Sequence, residues 1–309
     1  MKSRTVKGIE ISALSLGTVQ LGVNYGINNS TGKPDQRAAF DILNCAVENG
    51  ITALDTAAAY GDSEQVIGQW LHSEARTIPF VMTKAKHLDH SSLSALRTSL
   101  REQVEQSKRR LGLEQLPLLM LHSCDEYLGD EENVKTVFDE LKANGDIRFS
   151  GISAYAHHDY SKIADSGFDA TQIPLNVFDW RQIDNGGLEK LEDSGMMVFV
   201  RSVYLQGLVF KKPEELDPRM EYCRHTLETY QELCRQYALS PATLALSYAL
   251  SLPGVTSLVL GSETVEQVQQ NIELLNHVIE LNPDQLQQLH DCFCTTDYRM
   301  LTPSTWFNA

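Results

Sequence analysis

Leu118-Leu119-Met120-Leu121-His122 carries four apolar residues in a row into one ionisable residue. A strand that is apolar on both faces has no face to give to water, so it belongs in a parallel sheet covered on both sides. Seven more short apolar runs read the same way: Leu14–Thr18, Ile51–Asp55, Phe80–Lys84, Ile147–Ile152, Ala170–Ile173, Met197–Arg201 and Ser257–Leu260. Between them, Gln36–Glu48, Ser63–His72 and Leu93–Leu111 return apolar residues at helical spacing, and Asn49-Gly50 and Gly112 stand where helix C-caps belong. Strand then helix, eight times over, predicts a closed (β/α)8 TIM barrel formed by one domain, 1–309. An open doubly wound sheet is the alternative, and against it no strand is followed by the G-x-G-x-x-G turn that such sheets use for nucleotides. Outside the eightfold pattern, Thr5–Ile11, with Gly8 near its middle, reads as an N-terminal hairpin able to close the barrel floor. Two additional C-terminal helices, Val265–Val278 and Pro283–Cys292, precede a tail with an exposed Trp306-Phe307 pair.

At 42% hydrophobic and 22% charged residues, the 309-residue chain can bury a large core. Asp and Glu outnumber Lys and Arg by 41 to 26, a formal charge of -15 that repels phosphate backbones and anionic lipid, so neither nucleic acid nor membrane is an expected partner. A small anionic ligand stays open, because local cations and backbone N–H groups bind phosphate whatever the net charge. Met1–Leu14 holds no apolar stretch that could serve as a signal-peptide core, and no window is long enough to span a membrane. Six cysteines are scattered, and Cys292-x-Cys294 lacks the second pair a zinc site needs. Reduced thiols, a cytoplasmic setting and no metal are the expectations. His157-His158 reads as the start of a solvated helix.

In a barrel of this kind, reactive groups stand at the C-terminal ends of strands and in the loops after them. Asp55, Lys84 and His122 end three successive strands, and Tyr60 follows the first of these. Such a set suits carbonyl reduction. A carbonyl that accepts hydride becomes an alkoxide and needs a proton as that charge develops, and a tyrosine with a pKa of about 10 is a weak donor at neutral pH. Lys84 beside Tyr60 would lower that pKa, Asp55 would pair with the ammonium, and His122 would hydrogen-bond the carbonyl oxygen.

The stretch Leu54-Asp55-Thr56-Ala57-Ala58-Ala59-Tyr60-Gly61-Asp62-Ser63-Glu64, followed by Ile67-Gly68, resembles the aldo-keto reductase signature. Gly17-Thr18, Thr83-Lys84, Leu121-His122, Ile147-Arg148, Gly151-Ile152-Ser153, Gln172 and Asn176 match further along in the family's order, over nearly the whole chain. The resemblance implies a nicotinamide-dependent oxidoreductase, with Tyr60 as general acid, Lys84 and Asp55 as its modulators and His122 orienting the substrate. Gly17 and Thr18 fall at the cofactor edge, and Ser153 and Gln172 match positions that hold the carboxamide, while Ala154 replaces the family's usual asparagine. Arg201-Ser202 stands where many members place an aromatic residue against the nicotinamide. The Arg201 guanidinium could stack on that ring, pair with the cofactor phosphates or only meet a surface carboxylate. Gly261-Ser262-Glu263, with Gln267 and Asn271, resembles the adenosine phosphate loop without its basic clamp. NADP(H) is preferred on family frequency, and NAD(H) stays open because Glu263 could accept from a free ribose diol.

The partner is a small-molecule carbonyl substrate, and the sequence style suggests a sugar-derived one. Tyr25, Trp180 and Trp306 are candidate pocket walls, Trp180 and Trp306 serving equally well as packing residues. Two other functions remain: a cofactor-binding regulatory subunit with little turnover, and a barrel lyase using Lys84 as a Schiff-base nucleophile.

Overall fold

The computed structural model describes residues 1–24 and 32–306. Two strands, β1 (Ser3–Val6) and β2 (Ile9–Ser12), form the hairpin, and the barrel strands follow: β3 (Leu14–Gly17), β4 (Ala53–Asp55), β5 (Phe80–Ala85), β6 (Leu116–Leu121), β7 (Ile147–Ser153), β8 (Ala170–Pro174), β9 (Met197–Arg201) and β10 (Val255–Gly261). β10 pairs with β3 and closes the barrel in the order β10-β3-β4-β5-β6-β7-β8-β9. Lys7 and Gly8 both have positive φ, 50° and 75°, giving the two-residue turn whose twist suits a hairpin. Ile11, fully buried, projects from that hairpin into the barrel interior among Ala53, Phe80, Leu118 and Met197, so the hairpin closes the floor.

Side chains alternate across each strand. On β6, Leu119 and Leu121 join the layer under the helices, whereas Leu118 and Met120 join the interior. On β4, Leu54 faces the helices and Ala53 the interior. Two residues further along each strand, the same inward column reaches the C-terminal mouth. It delivers Asp55 above Ala53, Lys84 above Met82, His122 above Met120, Gln172 above Ala170 and Arg201 above Phe199.

Helices Gln36–Glu48 and Leu93–Leu111 are closed by Asn49 and by Gly112, the latter left-handed at φ 68°. The C-terminal helices run Val265–Asn276 and Pro283–Phe293, the second opened by a reciprocal capping box between Asn282 and Gln285. Two expectations are corrected. His157-His158 does not begin a helix: the helix starts at Tyr160 behind its Asp159 cap, and His158 is buried because its Nδ1 accepts the Tyr155 N–H at 2.9 Å. Trp306 is 3% exposed, its Nε1 donating to the carbonyls of Arg299 and Met300, so it is a packing residue. Phe307 lies outside the described residues. The six cysteines are unpaired, and no helix among the described residues is long and apolar enough to cross a membrane.

Candidate active site

Lys84 is 1% exposed, and all three of its ammonium protons are engaged: with Asp55 Oδ1 at 2.5 Å, the Thr56 carbonyl at 3.0 Å and Tyr60 Oη at 3.4 Å. Burial works against its charge, but Asp55, Tyr60 and these hydrogen bonds outweigh burial and leave its pKa above the ordinary lysine value. Gln172 Nε2 donates to the same Asp55 Oδ1 at 2.8 Å, so the carboxylate is fixed from two strands. The His122 ring stands edge-on to Tyr60, their centroids 5.8 Å apart. Burial, and then the Lys84 charge, push its pKa down to about 4, so the ring is neutral. Its Nδ1 is buried without a partner.

Sequence reasoning expected Lys84 to bring the Tyr60 pKa down. Lys84 does pull in that direction, but burial of the phenol is the larger effect, and the pKa stands above 10.0. Tyr60 is therefore held protonated beside a cation.

The backbone that presents Tyr60 is braced from β3 onward. A Cβ on Gly22 would lie 1.7 Å from the Tyr60 carbonyl oxygen, and one on Gly61, at φ 57°, would lie 2.3 Å from the Gly22 carbonyl oxygen. Only glycine at both positions lets these two turns touch. Below them, Thr18 Oγ1 donates to the Asp55 carbonyl at 2.8 Å and Ser63 Oγ to the Thr18 carbonyl at 2.9 Å.

Two cavities meet over this group. The first, of about 440 Å³, is lined by Tyr60, His122, Ser153, Tyr155, Gln172 and Arg201, with Tyr298, Leu301 and Pro303 from the tail. Its size is that of a small-molecule pocket. The second, of about 500 Å³, shares Tyr60, Gln172, Arg201 and Ser202 and continues along Gly17, Thr18, Gln20, Tyr204, Gly261, Glu263, Gln267 and Asn271. The Gln20 amide lies where a Cβ on Gly261 would be, 2.3 Å away, and its Oε1 is buried without a partner. The N-terminus of helix Val265–Asn276, capped by Thr264, begins just beyond Glu263 and offers the partial positive charge that suits a phosphate.

All four proposed catalytic residues thus meet at one mouth, and ten of the eleven cofactor candidates line the two cavities. The eleventh, Ser262, is buried and accepts from Asn271 Nδ2 at 3.3 Å, supporting the wall from behind. Trp180 is corrected from pocket wall to packing: it is 4% exposed, donates Nε1 to the Val177 carbonyl and packs against Tyr248 and His290, away from both cavities. Tyr25 lies outside the described residues. Arg201 turns its guanidinium to the Ala154 carbonyl, at 3.0 Å, and to the Tyr155 ring, at 5.1 Å. Sequence reasoning missed Gln20, Tyr155, Tyr204 and Tyr298, whose facing depends on the connections after the strands rather than on strand period. It also missed a cluster of Asp125, His157 and His158 with ligand atoms within 4.8 Å of one another. Both ring nitrogens of that His158 are engaged, Nδ1 with Tyr155 and Nε2 with Asp125 at 3.1 Å, which leaves a metal only two ligands.

A sequence model described as the aldo/keto reductase family matches residues 13–293. Among characterised relatives, the NADH-specific methylglyoxal reductase of Escherichia coli (strain K12) is 29% identical over 87% of this chain and 91% of its own length. The L-glyceraldehyde 3-phosphate reductase of the same strain is 28% identical over 88% and 86%. The holo form of an aldo-keto reductase from Bacillus halodurans superposes with a TM-score of 0.75 over 95% of this chain and 96% of that one, at 23% identity, a likeness of fold.

Proposed function

The chain belongs to the aldo/keto reductase family of oxidoreductases, and from that premise we propose that it reduces an aldehyde or ketone to an alcohol with Tyr60 as the proton donor and a nicotinamide dinucleotide as the cofactor. The observation that carries this reading is the buried chain Tyr60–Lys84–Asp55 at the junction of two cavities, one sized for a small molecule and one elongated. A bound reduced nicotinamide supplies the hydride. Ser153 and Gln172, on adjacent strands, are the residues to hold its carboxamide, and Gln20, Glu263, Gln267 and Asn271 the rest of the dinucleotide. His122, neutral and on the wall of the first cavity, offers a hydrogen bond to the carbonyl oxygen. As negative charge grows on that oxygen, Tyr60 Oη gives up its proton, and Lys84 at 3.4 Å stabilises the phenolate left behind.

Lys84 does not suit the Schiff-base alternative, because a charged amine with every proton engaged and 1% exposure is neither nucleophilic nor accessible. An intact proton-donating chain also argues against a subunit without turnover. Family frequency favours NADP(H), but Arg201 is the one Lys or Arg among the described residues lining the second cavity, and it sits at the seam with the first. Glu263 occupies the other end, its pKa raised by burial and drawn back by the Gln267 amide. A carboxylate there accepts from a ribose diol and repels a 2′-phosphate, so NADH is the better fit.

The test is carbonyl-dependent oxidation of NADH and NADPH across aldehydes, ketoses and nucleotide-linked keto sugars, with fluorescence titration of both cofactors. Tyr60→Phe should bind NADH as wild type does and lose at least about a hundredfold in kcat. Wild type should bind NADH about tenfold more tightly than NADPH, roughly 1.4 kcal/mol. Absence of turnover with every carbonyl would refute the reductase reading, and tighter binding of NADPH would refute the role given to Glu263.

A further inference from the structure

Charge at the junction of the two cavities does not balance. Lys84 is matched by Asp55 at 2.5 Å. Arg181, on the wall of the first cavity, is matched by Asp179 through two contacts, Nε to Oδ1 at 2.8 Å and Nη2 to Oδ2 at 2.5 Å. Asp179 is also the only carboxylate among the described residues lining that cavity. His122 is neutral. Arg201 remains, and no carboxylate among the described residues pairs with it: Nη2 donates to the Ala154 carbonyl at 3.0 Å and Nη1 to Ser202 Oγ at 3.4 Å. A guanidinium has five N–H donors, so three are left for a ligand.

The neighbours of the guanidinium say which cavity it serves. Tyr155, under its plane at 5.1 Å, lines the first cavity and not the second, and Ala154 precedes Tyr155 at the end of β7. Ser202, which follows Arg201, holds φ 64°, a backbone conformation uncommon outside glycine and typical of places where function fixes the chain. The cation–π contact with Tyr155 and the bond to Ala154 place the guanidinium on the small-molecule side of the seam, within one pocket of Tyr60 and His122.

We propose that Arg201 is a substrate-recognition residue, and that the carbonyl compounds this enzyme reduces carry an anionic group, a carboxylate or a phosphate, seated on the Arg201 guanidinium while the carbonyl lies at Tyr60 and His122. This deepens the reductase reading and rests on it. The chain's net charge of -15 repels such a substrate at long range, so its selection depends on this contact rather than on steering. A planar fork with spare donors in a partly desolvated pocket matches either oxyanion.

Matched substrate pairs test it: succinic semialdehyde against butanal for the carboxylate, and glyceraldehyde 3-phosphate against glyceraldehyde for the phosphate. Wild type should favour the anionic member of at least one pair by about tenfold or more in kcat/KM, and the pair that responds identifies the oxyanion. Arg201→Met should bring that ratio down to about one, Arg201→Lys should restore part of it, and the Kd for NADH of all three proteins should agree within about twofold. A wild-type ratio near one for both pairs overturns the proposal. So does a ratio that survives Arg201→Met, or a Kd for NADH that rises tenfold in Arg201→Met, which would place the guanidinium on the cofactor phosphates. If no carbonyl is turned over, the reductase reading fails separately, and calorimetry of NAD+-loaded protein with 4-hydroxybutyrate and glycerol 3-phosphate decides this one. Binding in wild type that is lost in Arg201→Met supports anion recognition, and absence of binding overturns it.

Discussion

Asp55→Asn removes one charge and almost nothing else, because the amide oxygen still accepts from Lys84 and Gln172. Lys84 would then be a cation with 1% exposure and no counter-ion, its carboxylate partner at 2.5 Å gone. Removing one member of a buried pair typically costs about 3–5 kcal/mol, which for a domain of this size lowers Tm by roughly 5–8 °C. In wild type, the Lys84 pKa is raised above its unfolded value, so its contribution is fully present below about 10.5 and is lost only at higher pH. Without Asp55, burial becomes the dominant influence and the folded pKa drops below the unfolded one. The unfolded chain then binds the extra proton, and stability rises with pH by up to about 1.4 kcal/mol per pH unit between the two values. Denaturation of both proteins at pH 6, 7.5 and 9, followed by circular dichroism, should therefore show a Tm deficit that is largest at pH 6 and shrinks as pH rises. A deficit below about 2 °C, or one that stays constant from pH 6 to 9, would refute the claim that Asp55 keeps Lys84 charged.

Gly22→Ala puts a methyl group 1.7 Å from the Tyr60 carbonyl oxygen, and the turn must move; kcat should fall by about tenfold to a hundredfold with little change in circular dichroism, and unchanged kcat would show that the brace is dispensable. Burial holds the His122 pKa at about 4 against 6.5 in the unfolded chain, so the unfolded state protonates first as pH falls through that window and the native state loses roughly 3 kcal/mol. His122→Gln should flatten that acid limb in urea titrations at pH 4.5 and 7, and an unchanged limb would assign acid sensitivity elsewhere.

Legibility tracks how local the signal is. Continuous apolar runs such as Leu118–Leu121 identify barrel strands, and Gly112 identifies a helix end, because in each case neighbours in sequence decide the outcome. β4 is shorter than expected at its start, where the Thr52 N–H donates to Ser12 Oγ and Thr52 Oγ1 accepts from the Ser12 N–H, 40 residues away. Asp55, Lys84, His122 and Arg201 were readable because each ends an apolar run whose period fixes which way it faces, whereas Gln172, inside Ala170–Pro174, was readable only through the family resemblance. Trp180 and Trp306 were not: an aromatic residue close to a barrel mouth in sequence packs inward or lines a pocket according to contacts that the sequence does not order. The same holds for Tyr155, carried by a loop, and for Gln20, carried by the single helical turn Val19–Gly22. The unmatched charge on Arg201 emerges only when every nearby carboxylate has been located.

The inward columns also set the kinds of change this enzyme tolerates. Each reactive residue on a strand is specified by parity, even steps from the barrel interior, so deleting Phe80 would swing Lys84 toward the helices and turn Val81 into the barrel. Substitutions at the mouth degrade the chemistry by degrees, whereas a single-residue deletion in a strand inverts core and site together. Variation in the length of the chain is therefore confined to the loops, where it can reshape the substrate pocket and leave the proton donor in place.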